Sequence, residues 1–322
     1  MTDLAAALQQ LEAARGALAS WHLPLTVLLA IASAALLMAS VAPAFARLRR
    51  RAMLAAFLAL TAGELALLWF HLAVWRLAAV VHPMTGEVVG HVAPSPWIES
   101  EKLYVWALML AALGLVVRKG REEVLPILGV FVAALTAGAL LQGRPFAEPL
   151  PRFFEQYSGY VKALYSGNPY AMMGAFRGIE GARQGYYNAW YMWVHPPLLF
   201  LSYGAFAVAF AALVRAIAKH SEELEAVAAG WARIGYLPLT AGILLGVPWA
   251  LMSWTDQAWW WSGKVNMSLM MWLLYSAWLH ARLYLKNRGM WTASAALGLA
   301  AFAALVLTYL ATYFVPGAHS VA

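Results

Sequence analysis

The chain has 322 residues, 63% of them hydrophobic and only 11% charged, with a net charge of +7 and no cysteine. A soluble globule carries about 25% charged residues, so this composition excludes a water-soluble fold and predicts an integral membrane protein. The missing cysteines exclude disulfides and thiol chemistry by this chain, and the excess of positive charge reads as membrane topology, with no nucleic-acid partner.

Lipid offers no hydrogen-bond partner to an open backbone, so the crossing elements are expected to be helices. Residues 1–21 read as an amphipathic helix on the membrane surface. Asp3 and Glu12 stand there, where a secretory signal would be basic and then apolar. Eight apolar runs follow, near 24–46, 53–75, 103–117, 124–142, 195–217, 234–253, 265–285 and 290–314. Each approaches the roughly 20 residues that cross a hydrocarbon core. The expected architecture is therefore all-α: a polytopic bundle of about eight transmembrane helices forming one membrane domain over residues 1–322. The third run is short, and spans only if Glu101 and Lys102 snorkel.

The basic residues alternate between the two sides. Arg47, Arg49, Arg50, Arg51, Arg118, Lys119, Arg121, Arg215, Lys219, Arg233, Arg282, Lys286 and Arg288 all fall in the first, third, fifth and seventh connections. Short basic loops are retained in the cytoplasm, which places the chain in the cell (inner) membrane with both termini outside. Residues 143–194 form the long external connection, and its prolines and glycines, Pro145, Pro149, Pro151, Gly159 and Gly167 among them, should break it into short helices and turns. Its aromatic residues suit an interfacial belt or a docking surface.

Residues 249–264 hold Trp249, Trp254, Trp259, Trp260 and Trp261. Aromatic anchoring accounts for one or two indoles, and the excess points to a platform for a ligand or partner. If the stretch is helical, Trp254 and Trp261 share a face and the helix lies flat on the membrane. Ser262 is placed to cap the next span. His195 and His319 flank this segment at the outer edge, His195 just before Pro196 and Pro197, which are tolerated in the first turn of a helix. Two imidazoles beside an indole shelf suit a planar metallocycle, with haem iron taking two axial nitrogens. Zinc would need further donors that the segment lacks. His280 lies inside the seventh span, where an ionisable group is a functional candidate; a neighbouring carbonyl, the headgroups beside Arg282, or pairing with His71 or Glu64 are open alternatives.

These motifs together resemble a known family. Trp231 to Trp249, the tryptophan segment and the stretch from Trp272 to Arg282 resemble the haem-handling proteins of cytochrome c assembly, CcsA (also ResC), CcmC and CcmF. Pro316-Gly317-Ala318-His319-Ser320 is similar to the family's terminal Gly-Leu-His-Ser. His195-Pro196-Pro197-Leu198 looks like the His-Pro-Pro of CcmF, and His91 to Ser100 is similar to a stretch of CcsA, which makes CcsA the expected nearest relative. The resemblance implies haem b bound at the external face by His195 and His319, with Trp249, Trp254, Trp259, Trp260 and Trp261 forming the so-called WWD domain. It implies that His280 holds haem earlier on its route, with a CcsB-like partner supplying a second ligand. It also implies presentation to apocytochrome c, as part of a cytochrome c synthase system if the chain takes part in catalysis. One departure matters: the family's Trp-x-Trp-Asp-Pro is Trp259-Trp260-Trp261-Ser262-Gly263 here, so the cap is kept and the aspartate is lost. The alternative is a permanent b-type haem in an electron-transfer or quinol-linked subunit of a membrane redox complex. A solute transporter would show paired broken spans with intramembrane charges, which this sequence lacks.

Overall fold

The computed structural model describes residues 3–118, 121–253 and 259–315. In chain order the helices are α1 (Leu4–Ser20), α2 (His22–Val41), α3 (Arg49–Leu77), α4 (Lys102–Val116), α5 (Leu125–Gly138), α6 (Pro151–Leu164), α7 (Pro169–Ala182), α8 (Trp190–Lys219), α9 (Glu222–Ser253), α10 (Gly263–Asn287) and α11 (Trp291–Phe314). Between α3 and α4 lies an antiparallel hairpin, β1 (Ala79–Val81) with β2 (Val88–His91), in the register Ala79 to His91 and Val80 to Gly90.

Six helical stretches are long and apolar enough to cross a membrane: Leu4–Val41, Pro43–Leu77, Glu122–Gly143, Trp190–Lys219, Glu222–Leu251 and Trp291–Ala311. The chain is thus a largely helical, polytopic membrane protein, but with six candidate spans among the described residues instead of the eight expected. The two that fall away have different causes. At 15 residues, α4 is too short: a rise of about 1.5 Å per residue makes it only about 22 Å long. Helix α10 is long enough at 25 residues, but Lys264, Asn266, Ser268, Ser276, His280 and Arg282 dilute its apolar character.

The N-terminal segment also differs from expectation. Instead of a separate surface helix, α1 leads through Trp21 into α2. The Asp3 carboxylate caps α1, accepting from the amides of Ala5 (3.1 Å) and Ala6 (3.0 Å). Leu4, Ala7, Leu11 and Leu18 recur at helical spacing and are buried, while the Arg15 guanidinium sits 4.4 Å from the centre of the Phe154 ring on α6.

The chain forms two compact units: Met1–Leu37, Leu54–Leu108 and Val132–Trp193 in the first; Met38–Met53, Met109–Phe131 and Val194–Ala322 in the second. In the first, α6 and α7 each open on a proline at the start of the helix, where its missing N–H costs no hydrogen bond. Phe153, Phe154, Tyr157, Tyr160 and Val161 make the buried face of α6. Tyr157 donates to the carbonyl of Ala79 (2.9 Å), and Tyr160 donates to the carbonyl of Val81 (2.8 Å) while accepting from its amide (2.7 Å). Aromatic residues read as belt or docking surface therefore largely build a core under the hairpin, with phenol groups completing the edge of β1.

In the second unit the connections between helices are tied by ion pairs. Arg50 donates to the carbonyls of Leu115 (2.9 Å) and Val117 (3.2 Å) and lies 3.4 Å from Glu122. Arg121 pairs with Glu223, and Lys219 with Glu123 at 2.6 Å. Residues of three basic connections thus meet one another's acidic neighbours. Deeper in the unit, Glu225 is buried and meets Arg282 at 2.8 and 3.1 Å; Ser294 donates to the same carboxylate (2.9 Å) and accepts from the Trp278 indole (3.1 Å). This network joins α9, α10 and α11.

Candidate functional site

Helix α8 begins at Trp190, more than a turn before His195, so Pro196 and Pro197 lie beyond the first turn expected for them. Proline at 196 has no N–H to give the carbonyl of Met192, four residues back. That carbonyl is satisfied otherwise, accepting from the Trp97 indole N–H at 2.6 Å.

The His195 ring lies against the face of α9 that carries Gly242, Gly246 and Trp249. Its Nδ1 is 2.6 Å from the carbonyl oxygen of Gly242. A carbonyl only accepts, so Nδ1 carries the hydrogen and Nε2 keeps its lone pair. Gly246 permits the approach, since a Cβ there would stand 2.9 Å from the imidazole Cε1. Trp249 lies 6.3 Å away between ring centres, tilted by 34°.

Within the tryptophan segment α9 runs to Ser253, and a single 3₁₀ turn covers Trp259–Trp261. Trp259 and Trp260 meet edge to face at 5.6 Å, and Trp260 and Trp261 are 51% and 74% exposed. Ser262 follows, buried, with its hydroxyl accepting from the Val265 amide at 3.4 Å, as expected of a cap for α10. Trp254, and with it the face it was expected to share with Trp261, lies outside the described residues, as does His319. The last described residue before His319 is Val315. It packs on Gly263, where a Cβ would come within 2.7 Å of the valine side chain. The end of α11 therefore adjoins the start of α10, directly after the exposed indoles.

His280 is exposed on α10, and its Nδ1 lies 2.8 Å from the carbonyl of Ser276, one turn back. Again Nε2 is left with its lone pair. The opposite face of the helix is anchored: Met271, Tyr275 and Trp278 are buried, and Tyr275 stacks on Phe206 at 3.6 Å. Trp272 donates to Thr240 (2.9 Å), and the hydroxyls of Ser276 and Tyr236 are 2.6 Å apart.

His71 does not stand alone in its helix. It meets the Pro94 carbonyl at 2.9 Å and Glu101 at 3.5 Å. Glu101 is fully buried, not snorkelling. A glutamate at the head of an apolar run carries no sequence signal of such a partner. The stretch from His91 to Ser100 is held by the end of the long connection, since the Asn188 side chain accepts from the Ala93 amide (2.9 Å) and donates to the His91 carbonyl (2.8 Å). Glu99, in left-handed backbone with φ of 56°, accepts from the Arg152 amide (3.0 Å) and the Tyr187 hydroxyl (3.1 Å), and its burial pushes the carboxyl above the ordinary glutamate range. Among the described residues no group of three or more His, Cys, Asp or Glu is arranged to hold a metal ion.

The elements so far define a polytopic membrane protein that offers imidazole and indole groups at and near its helix ends. Residues 95–319 match the family described as Cytochrome C assembly protein, and the chain belongs to that family. It is similar to the cytochrome c-type biogenesis protein NrfE of Haemophilus influenzae, 37% identical over 101 residues, which cover 30% of this chain and 16% of NrfE. With the cytochrome c-type biogenesis protein CcmF of Pseudomonas aeruginosa it shares 35% over 130 residues, 38% of this chain and 19% of CcmF. With the cytochrome c biogenesis protein CcsA of a Synechococcus strain it shares 41% over 64 residues, 20% of this chain and 19% of CcsA. The matched segments thus span less than a fifth of each relative's length. The NrfE and CcmF matches are longer, so the likeness does not single out CcsA. No solved structure matches the chain.

Proposed function

We propose that this chain handles haem b in cytochrome c biogenesis, binding it at the outer face of the membrane between His195 and His319 and presenting it to apocytochrome c. The observation that carries this is the His195 geometry. With Nδ1–H directed at the Gly242 carbonyl and Nε2 left as a donor beside Trp249, the ring has the tautomer and outer-shell hydrogen bond of an axial haem ligand. His319 is four positions along the chain from Val315, a reach of at most about 14 Å, and Val315 packs at the head of α10, directly after the exposed Trp260 and Trp261. An imidazole pair and flat indoles fit the group chemically.

When bound, haem supplies the iron and the vinyl edge for thioether formation with a Cys-x-x-Cys-His apoprotein. This chain's part is orientation: His195 holds the outer position, the Gly242 carbonyl sets the ring, and Trp249, Trp259, Trp260 and Trp261 shield one edge from water, together with Trp254. His280 offers a second Nε2 on an exposed helix face, suited to an earlier site completed by a ligand from a CcsB-like partner. The basic connections lie in the cytoplasm, and the tryptophan segment and the 143–194 connection outside.

The test is the visible spectrum of the purified protein. A low-spin haem signal is expected. His195→Ala or His319→Ala lowers haem affinity roughly 100-fold or more, beyond the range of about 10–100-fold set by lost outer-shell partners alone, and added imidazole restores the spectrum. Unchanged spectra in both variants would remove the site. A second reading, a permanent b-type haem in an electron-transfer subunit, is favoured by one observation: Ser262 serves as a buried cap where the family carries aspartate. Deleting the protein decides between them, because loss of c-type cytochromes supports assembly, whereas intact c-type cytochromes with haem still bound support electron transfer.

A further inference from the structure

In the first unit a set of ionisable side chains lies apart from the imidazoles assigned above. Glu64 and His71 are seven residues apart on one face of α3, and Glu101 stands in the turn before α4. His71 is 6% and Glu101 0% exposed. The Nδ1 of His71 is spent on the Pro94 carbonyl at 2.9 Å. Its Nε2 is 3.5 Å from Glu101 Oε1, an ion-pair contact longer than an ordinary hydrogen bond, and neither oxygen of Glu101 nor Oε2 of Glu64 has a hydrogen-bond partner. The hydroxyls of Ser95 and Ser100 in the same segment are likewise buried without one. Orphaned polar atoms at this depth are costly, and a polar site with several such groups is one that holds water.

The charges restrict what else the site takes. With both carboxylates ionised and the imidazole neutral the set carries two negative charges, and one added proton makes an imidazolium and carboxylate pair beside a bare Glu64. Only a second proton makes it neutral. An unbalanced buried charge is costly. Lys102 and Arg152 lie toward Glu99, so the cations on the Glu101 side are shared with a third carboxylate, and Tyr104 and Tyr186 are neutral phenols; the charged neighbours of Glu64 itself are Glu101 and His71. Glu64 and His71 are two helical turns, about 10 Å of rise, apart on α3, a separation that water in a polar site of this kind would bridge. We propose that Glu64, His71 and Glu101 form an internal proton-binding site, bridged by water, that stores one exchangeable proton on Glu64. Binding and release make and break a single O–H bond and move no electrons.

The test uses the full chain in lipid nanodiscs and needs no haem, so its outcome is separate from that of the haem site. Infrared spectra at neutral pH are expected to show a protonated-carboxyl stretch that shifts down in D₂O. One component is lost in Glu64→Gln, and His71→Gln displaces it. Wild-type protein without such a band overturns the proposal, as does a band unchanged in Glu64→Gln and His71→Gln. Should Glu64→Gln fail to fold, Glu64→Asp keeps the proton and must move the band; an unmoved band overturns the proposal equally.

Discussion

At the scale of single residues, His195 shows how a side chain becomes a ligand through its neighbours. The sequence supplies the imidazole, but its tautomer depends on a carbonyl 47 positions away, on Gly242 of α9. Gly246 is the second condition. In Gly246→Ala the new Cβ would stand 2.9 Å from the ring, so the imidazole must shift. Outer-shell disturbance of this kind costs about 10–100-fold in metal affinity, and haem titration of this variant should show weakening in that range with helix content unchanged. Affinity equal to wild type would mean that the ring is not held for a ligand. Ser262 was legible in advance, because capping is local and needs only the residues that follow. The partnership of His71 with Glu101 was not, because it closes across 30 positions of chain and a proline carbonyl that no pattern marks.

At the scale of elements, the apolar runs located the helices well, and local composition misjudged what each one does. Helix α4 begins where the third run was expected and is too short to cross. Helix α10 is long enough, but Arg282, which would burden a lipid-facing span, is turned to Glu225. Removing one partner of a buried pair leaves the other charge stranded, at a cost of about 3–5 kcal/mol, whereas an apolar replacement of both is far milder. Glu225→Gln or Arg282→Ala should therefore lower the thermal midpoint in detergent markedly, and Glu225→Leu with Arg282→Met should recover most of the loss. Equal destabilisation by the singles and the double would show that packing around Trp278, not the pair, holds α10. The 143–194 connection was read correctly as short helices, since proline and glycine act locally. Its aromatics were read mainly as a membrane belt, because sequence cannot tell a tyrosine whose hydroxyl meets lipid headgroups from one that completes a strand, as Tyr160 does at Val81.

At the scale of the whole molecule, orientation is the quantity to measure, and a chain without cysteine gives a clean background for it. Tyr170 is 90% exposed on α7, and Arg51 is exposed near the start of α3. A thiol introduced by Tyr170→Cys should react with a membrane-impermeant reagent in intact cells, and one introduced by Arg51→Cys only after the membrane is opened; the opposite pattern would invert the topology. Composition alone determined that this is a helical membrane protein, because a backbone in lipid has few ways to satisfy its hydrogen bonds, and local motifs marked the indoles, the cap and the imidazoles. Where each histidine finds its second partner, and that Glu101 is buried instead of reaching for water, were decided only by tertiary structure. The physical reason is separation: periodicity and capping act within a few residues, whereas a buried polar group is settled by whichever distant carbonyl or carboxylate packing brings to it.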